Sequence, residues 1–463
     1  MITLPQDYLN RMKQLLPETD QYEAFIRSYD APPVRGLRLN LKKLIANESS
    51  CSSTRITYDS LVEEWKLEPL KDASYIIHKG KKYYREFYMN EEYLLQKGIR
   101  PGKHPYHEAG LYYIQGTEAM QAVAHLDIRP FDRVADLCAS PGGKSTQAAD
   151  MLSPEHGGFL LSNDYVALRA RTLSSNIERM GITNAAVTNE DTGKLAGHFP
   201  EYFTRIIVDA PCSGEGMFRK DETAVNEWSP ENVRLCAERQ KDIVSNAYRM
   251  LSAGGKICYS TCTFEKEEDE DIRDFILKEH EDMELIFEKR VWPHLEKGEG
   301  HYIAVFRKAG KDPFESAAAS DDASAFIPGS SISAMNYKEV KLKDQIYLIP
   351  PFTPNLKGLK TFRTGILKAS DLGKRIEPEH ALTHAINLND PEELNNYELS
   401  VSDYSSDAPE TEQYLKGLQI PAPEGVSGKG WVIVTCDGIA LGLGKLVNNQ
   451  IKNHYPKGLR FIT

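Results

Sequence analysis

The chain lacks any apolar run long enough to cross a membrane, and its start, MITLPQDYLN, has no basic segment followed by an apolar core. A membrane-spanning helix needs about 20 consecutive apolar residues, and a secretory signal needs both of those segments. With 41% hydrophobic and 27% charged residues, the composition is that of an ordinary globular protein. We therefore expect a cytoplasmic protein that does not contact a membrane.

Cysteine is scarce and does not form pairs along the chain. The seven cysteines in 463 residues are an odd and scattered set, which argues against a disulfide framework and for a reducing compartment. Cys258 and Cys262 are close in sequence, but no second cysteine or histidine pair completes a zinc site, so we expect no metal. Most single cysteines are small buried hydrophobic residues, and we expect this of Cys51, Cys236, Cys258 and Cys436.

Excess positive charge is also missing, since the formal net charge is −11. Bulk nonspecific affinity for nucleic acid is therefore not expected, because neutralising phosphates requires clustered Lys and Arg. Acidic residues concentrate in 265–274 and 391–412, whereas 78–85 and 445–460 are locally basic and contain tyrosines. These basic segments could receive a polyanion, although charge alone favours ordinary solvated surfaces.

Four regions follow from the pattern along the chain. Residues 1–110 combine a helical pattern with a strand-like stretch, RGLRLNLKK, and predict a small α+β module. Residues 111–308 alternate strand and helix signals, which is typical of an α/β domain. Residues 309–390 begin with a linker rich in Ala, Ser, Asp and Pro and continue as a small folded segment. Residues 391–463 end in a strand, a tight turn and a second strand, which indicates a small β-barrel-like module.

The alternation in 111–308 predicts a mainly parallel sheet with helices on both faces. In such a sheet, ligands bind along the edge formed by the carboxyl ends of the strands. Five predicted strands deliver polar or reactive residues to that edge: Asp136 to Gly143, Asp164, Asp191, Asp209 to Cys212, and Cys262.

A glycine-rich turn, DLCASPGGK at 136–144, follows the first of these strands. Glycine lets the backbone approach a ligand closely, and the next helix offers the partial positive charge of its N-terminus. A phosphate-binding loop is excluded because position 138 is Cys where that motif needs Gly. An acid at the end of the next strand, Asp164, is placed to accept from a ribose, and Asp191 could contact an adenine amine. Each could instead be a helix N-cap.

Two cysteines follow two other strands, Cys212 in DAPCSGEG and Cys262 in YSTCTF. A thiolate is nucleophilic enough to add to C6 of a cytosine, and this addition makes C5 able to accept a methyl group. Asp209 is placed to bond the N3 and amine edge of that pyrimidine. The two cysteines therefore predict covalent catalysis, with one thiol attacking and the other assisting release.

These motifs are similar to those of the Nop/Sun family of S-adenosylmethionine-dependent RNA cytosine-5 methyltransferases, most like its bacterial RsmF-type 16S rRNA members. The resemblance implies a Rossmann-like domain with a mostly parallel seven-stranded sheet, an N-terminal RNA-binding extension and a PUA-like C-terminal barrel. It implies Cys262 as nucleophile and Cys212 in release, whereas the contact of Asp209 with the target base is expected from its position alone. It implies a cofactor site formed by Cys138, Ala139, Ser140, Pro141, Gly142, Gly143, Lys144, Asp164, Arg169, Asp191 and Asp209.

The expected activity is methylation of C5 of a cytosine in 16S rRNA of the small ribosomal subunit, by a monomer. A tRNA substrate is the nearest alternative, and a noncatalytic RNA-binding assembly factor is another. DNA cytosine-5 methyltransferases resemble this chemistry but attack with the cysteine of the Pro-Cys turn, which would make Cys212 the nucleophile. The STCT turn at 260–263 and the flanking modules favour the RNA reaction.

Overall fold

The fold is that of a computed structural model, which describes residues 3–48, 55–314 and 332–461. The N-terminal part contains an antiparallel four-stranded sheet of order β2-β5-β1-β6 and a separate hairpin, β3–β4. Its elements are α1 (Gln6–Leu15), α2 (Thr19–Ser28), β1 (Gly36–Leu39), α3 (Leu41–Glu48), α4 (Tyr58–Glu64), β2 (Glu68–Pro69), β3 (Tyr75–His78), β4 (Lys81–Tyr84), β5 (Glu86–Tyr88), α5 (Glu91–Gln96), α6 (Pro105–Glu108) and β6 (Tyr112–Gln115).

The predicted strand RGLRLNLKK is only partly a strand. The chain is extended over Gly36–Leu39 and then becomes helical from Leu41. Asn40 separates the two elements, and its side-chain oxygen accepts from the Lys43 backbone N–H at 3.3 Å. An Asn side chain can bond the first turn of a helix in this way, so it favours a helix start over a continued strand.

The central part contains the large sheet, whose order is β12-β13-β11-β10-β7-β8-β9-β16, where β16 is Thr361–Thr364. The five strands from β11 to β9 in that order are parallel; β13 pairs antiparallel with β11, and β12 pairs antiparallel with β13. The elements are α7 (Thr117–Ala124), β7 (Arg133–Asp136), α8 (Gly143–Met151), β8 (Phe159–Asn163), α9 (Ala167–Arg179), β9 (Ala185–Thr188), α10 (Thr192–His198), β10 (Phe203–Asp209), α11 (Glu222–Glu227), α12 (Pro230–Met250), β11 (Leu251–Thr261), α13 (Glu270–Glu279), β12 (Met283–Val291) and β13 (His301–Lys308).

The C-terminal part contains a four-stranded sheet, β14-β15-β17-β18, and a five-stranded sheet, β19-β21-β22-β23-β20. Its elements are β14 (Lys338–Leu342), β15 (Gln345–Ile349), β16 (Thr361–Thr364), β17 (Ile366–Asp371), β18 (Ile376–Pro378), α14 (His380–Ala385), α15 (Pro391–Asn396), β19 (Leu399–Tyr404), α16 (Pro409–Leu415), β20 (Ile420–Pro421), β21 (Gly430–Cys436), β22 (Ile439–Val447) and β23 (Gln450–Asn453).

The predicted α/β fold class is confirmed, and the sheet has one strand more than the seven expected. The additional strand, β16, comes from beyond the catalytic alternation and pairs antiparallel with β9, with Thr361 opposite Thr188. This pairing covers the ladder of β9, which would otherwise be an edge of unpaired backbone groups.

The central sheet is buried on both faces, which explains its near-continuous apolar strands. Successive strand residues point to opposite faces. Val134 therefore packs in the core that contains Leu173 of α9, whereas Ala135 packs in the core that contains Val244 of α12. Helices on both sides thus hold the strand ends in a fixed arrangement.

Three of the four cysteines expected to be structural are confirmed as buried: Cys236 is 5% exposed, and Cys258 and Cys436 are fully buried. Cys51 lies outside the described residues. In the described part of the chain, no helix is both long and apolar enough to span a bilayer.

Candidate active site

The functional edge is formed by the carboxyl ends of the five parallel strands. Asp136 and Asp209 are the last residues of β7 and β10, and Asp164 directly follows β8. Cys262 directly follows β11, whose Ser260 lies opposite Asp209. Because parallel strands end on the same side of a sheet, the structure brings these separate sequence motifs to one edge.

The glycine turn joins β7 to α8 with little free space. Gly142 has a φ of +115°, which L side chains rarely adopt, and a Cβ there would lie 3.2 Å from Leu173 Cδ1. A Cβ on Gly143 would lie 3.1 Å from the Gln115 side chain. The turn therefore depends on both glycines. No side-chain hydrogen bond caps the N-terminus of α8.

Arg169 links the glycine turn to the end of the neighbouring strand. It donates from a terminal guanidinium nitrogen to the Ser140 carbonyl at 3.1 Å, and Ser140 Oγ donates to the Arg169 carbonyl at 3.0 Å. The Arg169 Nε lies 3.3 Å from the Asp164 carboxylate. Asn176 also donates to the Pro141 carbonyl at 2.8 Å. The turn is thus held from α9 by bonds to its backbone.

Asp164 and Asp191 occupy different environments. Asp164 is 3% exposed and also accepts from the Val166 backbone N–H at 2.9 Å. Asp191 is exposed and accepts from the Gly193 N–H at 2.8 Å as the N-cap of α10. In this structure Asp191 therefore acts as a helix N-cap, which was the alternative to cofactor binding considered for it.

Two buried acceptor atoms at the glycine turn have no hydrogen-bond partner among the described residues. Asp136 is fully buried and accepts from Ser145 at 2.7 Å through Oδ2, but its Oδ1 is unpartnered. The Oε1 of Gln115, beside Gly143, is unpartnered too. Burial raises the pKa of Asp136 to about 7. Buried acceptors normally have donors, so these atoms suit a ligand with N–H groups or positive charge, as S-adenosylmethionine has.

The first residues of the turn are apolar in character. Ala139 is 6% exposed, and burial raises the pKa of the Cys138 thiol, with Asp136 acting in the same direction. Cys138 is therefore a neutral, weakly polar lining residue and not a second thiolate.

Lys144 and Asp209 form an ion pair between the glycine turn and the cysteine loops. The Lys144 Nζ lies 2.9 Å from Asp209 Oδ1, which also accepts from Ser260 Oγ at 2.9 Å. Burial alone would raise the pKa of Asp209, but the Lys144 ammonium outweighs it and the pKa falls. Burial alone would lower the pKa of Lys144, but Asp209 outweighs it and the pKa rises. Both groups are therefore charged at neutral pH.

The two cysteines predicted to carry the chemistry are in direct contact. Cys212 Sγ lies 3.3 Å from Cys262 Sγ, and the Cys262 backbone N–H donates to Cys212 Sγ at 3.3 Å. Both are free thiols. The hydrogen bond with Cys262, together with burial, raises the pKa of Cys212 well above its ordinary value. The pair thus favours a protonated Cys212 beside Cys262.

His301 belongs to this site and was missed by the sequence reasoning, which placed it only at the start of the last strand. Tyr302 pairs with Thr261, so His301 lies beside the residue after β11, Cys262. It is 3% exposed, and its Nε2 has no partner in the described structure. Burial lowers its pKa to about 3, and Lys144 acts in the same direction. Only the antiparallel direction of β13 brings this residue to the functional edge.

The chain is similar to known proteins over nearly its whole length. Residues 123–307 match the family model described as 16S rRNA methyltransferase RsmB/F, and residues 401–461 match the Methyltransferase RsmF PUA domain. The Ribosomal RNA small subunit methyltransferase F of Vibrio campbellii is 30% identical over 99% of this chain and 98% of its own. That of Pectobacterium carotovorum is 29% identical over 98% and 96%.

Solved structures share the fold. The crystal structure of NSun6 from Pyrococcus horikoshii with SFG has a TM-score of 0.52 at 20% identity, covering 66% of this chain and 99% of that one. The structure titled PH0851 has a TM-score of 0.53 at 21% identity, covering 66% of each chain.

Proposed function

This chain belongs to the ribosomal RNA small subunit methyltransferase F family, and from that premise we propose that it methylates C5 of a cytosine in 16S rRNA. The methyl donor is S-adenosylmethionine. The observation that carries the proposal is the contact of 3.3 Å between the Cys212 and Cys262 sulfur atoms, at the same edge as the Lys144–Asp209 ion pair. A thiol pair beside a charged pair suits a covalent reaction on a pyrimidine.

The cofactor would be held by the glycine turn and the strand-end acids. Ser140 to Lys144 form the turn, Asp164 would accept from the ribose, and the unpartnered oxygens of Asp136 and Gln115 would accept from the amino acid part. Arg169 keeps Asp164 and the turn together, and Asp191 would contribute from the outer rim. S-adenosylmethionine, when bound, supplies a methyl group on a sulfonium sulfur.

In the attack step, the Cys262 thiolate adds to C6 of the cytosine. A bond forms between Sγ and C6, and the electrons of the C5–C6 double bond become available at C5, which then takes the methyl group. Asp209 would accept from the exocyclic amine, and Lys144 keeps that carboxylate charged and oriented. Without the covalent bond, C5 is too weak a nucleophile for this transfer.

In the release step, the C5 proton leaves, the C5–C6 double bond re-forms and the Sγ–C6 bond breaks. Cys212 is placed to give its proton to the departing Cys262 sulfur and to take up the C5 proton in exchange. Its raised pKa supports this role, because it keeps a proton on Cys212 when Cys262 is the attacking thiolate.

The substrate RNA would be bound by the modules on both sides of the catalytic domain. The C-terminal module matches an RsmF PUA domain. The N-terminal hairpin β3–β4 carries Lys82 with its Nζ 3.7 Å from the centre of the Tyr75 ring, in the basic segment 78–85. Aromatic and cationic side chains together bind unpaired RNA. Since one chain contains the whole set of site residues, we propose that it acts as a monomer, in the cytoplasm.

Bisulfite mapping of RNA from cells with and without the protein tests the proposal. We expect one or a few cytosines of 16S rRNA to be protected only when the protein is present. Protection in tRNA instead would replace the substrate, and no difference in any RNA would contradict cytosine-5 methylation altogether. That last result would favour a noncatalytic assembly factor.

A further inference from the structure

A buried polar cluster lies beneath the two cysteine loops and takes no part in the reaction described above. It consists of Ser213, Glu215, Thr263 and Glu268, and we name it the carboxyl cluster. Ser213 is 5% exposed and the other three are fully buried. Two carboxyl groups in the interior are costly unless hydrogen bonds satisfy them, so their retention beside the reacting thiols calls for a physical explanation.

Glu215 connects the loop of Cys212 to the loop of Cys262. One oxygen accepts from Ser213 Oγ at 2.8 Å and from the Trp228 indole N–H. The other accepts from the Thr263 hydroxyl and from the Phe264 backbone N–H at 3.3 Å. The carboxyl group thus bonds the residue after each cysteine and holds the two loops against one another.

Glu268 holds the backbone around Cys212. One of its oxygens accepts from the Ser213 backbone N–H at 3.1 Å and from Gln240 Nε2 at 2.7 Å, and the other lies at hydrogen-bonding distance from Ser213 Oγ. The same Gln240 nitrogen donates to the Pro211 carbonyl at 3.0 Å. Both residues that flank Cys212 are therefore tied to Glu268, directly or through Gln240.

The two carboxyl groups meet at the Ser213 hydroxyl. Burial raises the pKa of Glu268 to about 9, and the charge of Glu215 acts in the same direction. A protonated Glu268 can donate to Ser213 Oγ, which in turn donates to Glu215. With this proton on Glu268, the side chains of Glu268, Ser213 and Glu215 form a continuous chain of hydrogen bonds. The chain removes much of the free-energy cost of burying two carboxyl groups.

Resting on the methyl-transfer function above, we propose that Ser213, Glu215 and Glu268 are positioning residues for the release step. They hold Cys212 at hydrogen-bonding distance from Cys262. Cys262 depends less on the Ser213 hydroxyl, because it continues directly from β11 and the bonds of Glu215 to Thr263 and Phe264 do not involve that hydroxyl. Loss of the Ser213 hydroxyl is therefore expected to displace Cys212 and to leave the attacking thiol in place.

The experiment compares the full-length wild-type enzyme with Ser213→Ala. The matched control is Ser252→Ala, since Ser252 is a 6% exposed serine on β11 whose hydroxyl has no partner among the described residues. Each enzyme is incubated with S-adenosylmethionine and 16S rRNA from cells lacking the protein. Methylated product is counted, and the covalent protein–RNA adduct is measured on denaturing gels.

A second substrate separates attack from release. In 16S rRNA transcribed with 5-fluorocytidine, C5 carries fluorine in place of the proton that must leave, so every attack that is followed by methyl transfer ends as a stable adduct. We expect Ser213→Ala to form this adduct within about threefold of the wild-type rate. On ordinary rRNA it is expected to accumulate adduct and to lose about tenfold in product formation, as a small displacement of a reacting group allows. Ser252→Ala is expected to match the wild type in both assays.

The outcomes are distinct. Equal product formation by Ser213→Ala and the wild type would overturn the positioning role. Equal loss of attack and product would also overturn it, because a general weakening of the fold affects both steps. Glu268→Gln repeats the comparison if Ser213→Ala does not fold, as judged by its thermal melting. A wild-type enzyme that forms neither adduct nor 5-methylcytosine would contradict the proposed function itself.

Discussion

The two halves of the functional edge are constructed differently. On the side of β10 and β11, the cysteine loops are joined to each other by buried carboxyl groups whose oxygens all take part in hydrogen bonds. On the side of β7 and β8, buried acceptors of Asp136 and Gln115 are left without partners in the described structure. The carboxyl groups of the first half are satisfied within the protein, whereas the Asp136 carboxyl group of the second half is satisfied only in part.

This difference reflects what each half must do. A thiol that forms and breaks a covalent bond must be held within a few tenths of an ångström, so its supporting groups bond one another. A site for a dissociable cofactor needs acceptors that the ligand itself satisfies. A buried carboxyl oxygen without a partner is therefore typical of the ligand half, and carboxyl groups bonded within the protein are typical of the covalent half.

Replacing each of the two cysteines by alanine tests the covalent half, and these substitutions are expected to have the largest effect. Cys262→Ala is expected to abolish both the RNA adduct and the methylated product, a loss of at least about 10⁴-fold, because no nucleophile remains. Cys212→Ala is expected to accumulate adduct with little free product. Denaturing gels and methyl incorporation measure both. The reverse pattern would assign the attack to Cys212, as in the DNA enzymes.

The second largest effect is expected at the Lys144–Asp209 ion pair, which lies between the two halves. Asp209→Asn leaves the shape of the side chain but removes its charge, so the buried Lys144 loses its charged partner. We expect methyl transfer to fall by about 10² to 10³-fold, since both the base edge and the lysine lose their orientation. Steady-state kinetics measure the loss. Ser260→Ala, which removes only one bond to Asp209, is the control and is expected to lose less than about tenfold.

The buried Asp136 predicts a pH effect on stability. Its pKa is raised from 3.8 to about 7 in the folded chain. Its stabilising contribution is therefore complete below about pH 4 and is lost as the pH rises through 7. Relative to Asp136→Asn, the wild type is expected to lose about 2 kcal/mol between pH 5 and 7.5. Denaturant unfolding at both pH values measures this, and parallel curves for the two proteins would contradict the assigned burial cost.

The smallest expected effect compares two acids within the cofactor half. Asp164→Asn removes charge from a buried carboxylate linked to Arg169, and we expect the affinity for S-adenosylmethionine to fall about tenfold, the loss of one charged hydrogen bond. Asp191→Asn keeps a good N-cap for α10 and is expected to cost less than about threefold. Isothermal titration measures both. Equal losses of affinity would mean that the exposed Asp191 contributes as much to cofactor binding as the buried Asp164.

The acids and cysteines at the strand ends could be predicted from sequence because each motif is local. A short apolar strand followed by DLCASPGGK, DAPC or STCT shows its own turn and its own chemistry within a few residues. The glycine turn could be predicted for the same reason, since a tight strand-to-helix turn needs residues without a side chain. The prediction of one strand over RGLRLNLKK was only partly correct, because the Asn40 cap starts a helix within an alternation that otherwise fits a strand.

By itself, the sequence determined the α/β fold class, the edge at which the motifs gather and the chemical character of each one. Only the tertiary structure decided which groups touch. The sulfur–sulfur contact of 3.3 Å, the placement of His301 beside Cys262 and the pairing of β16 with β9 all join segments distant in sequence. The burial of Glu215 and Glu268 is of the same kind. Such contacts depend on strand order, direction and packing, which local residue patterns do not contain.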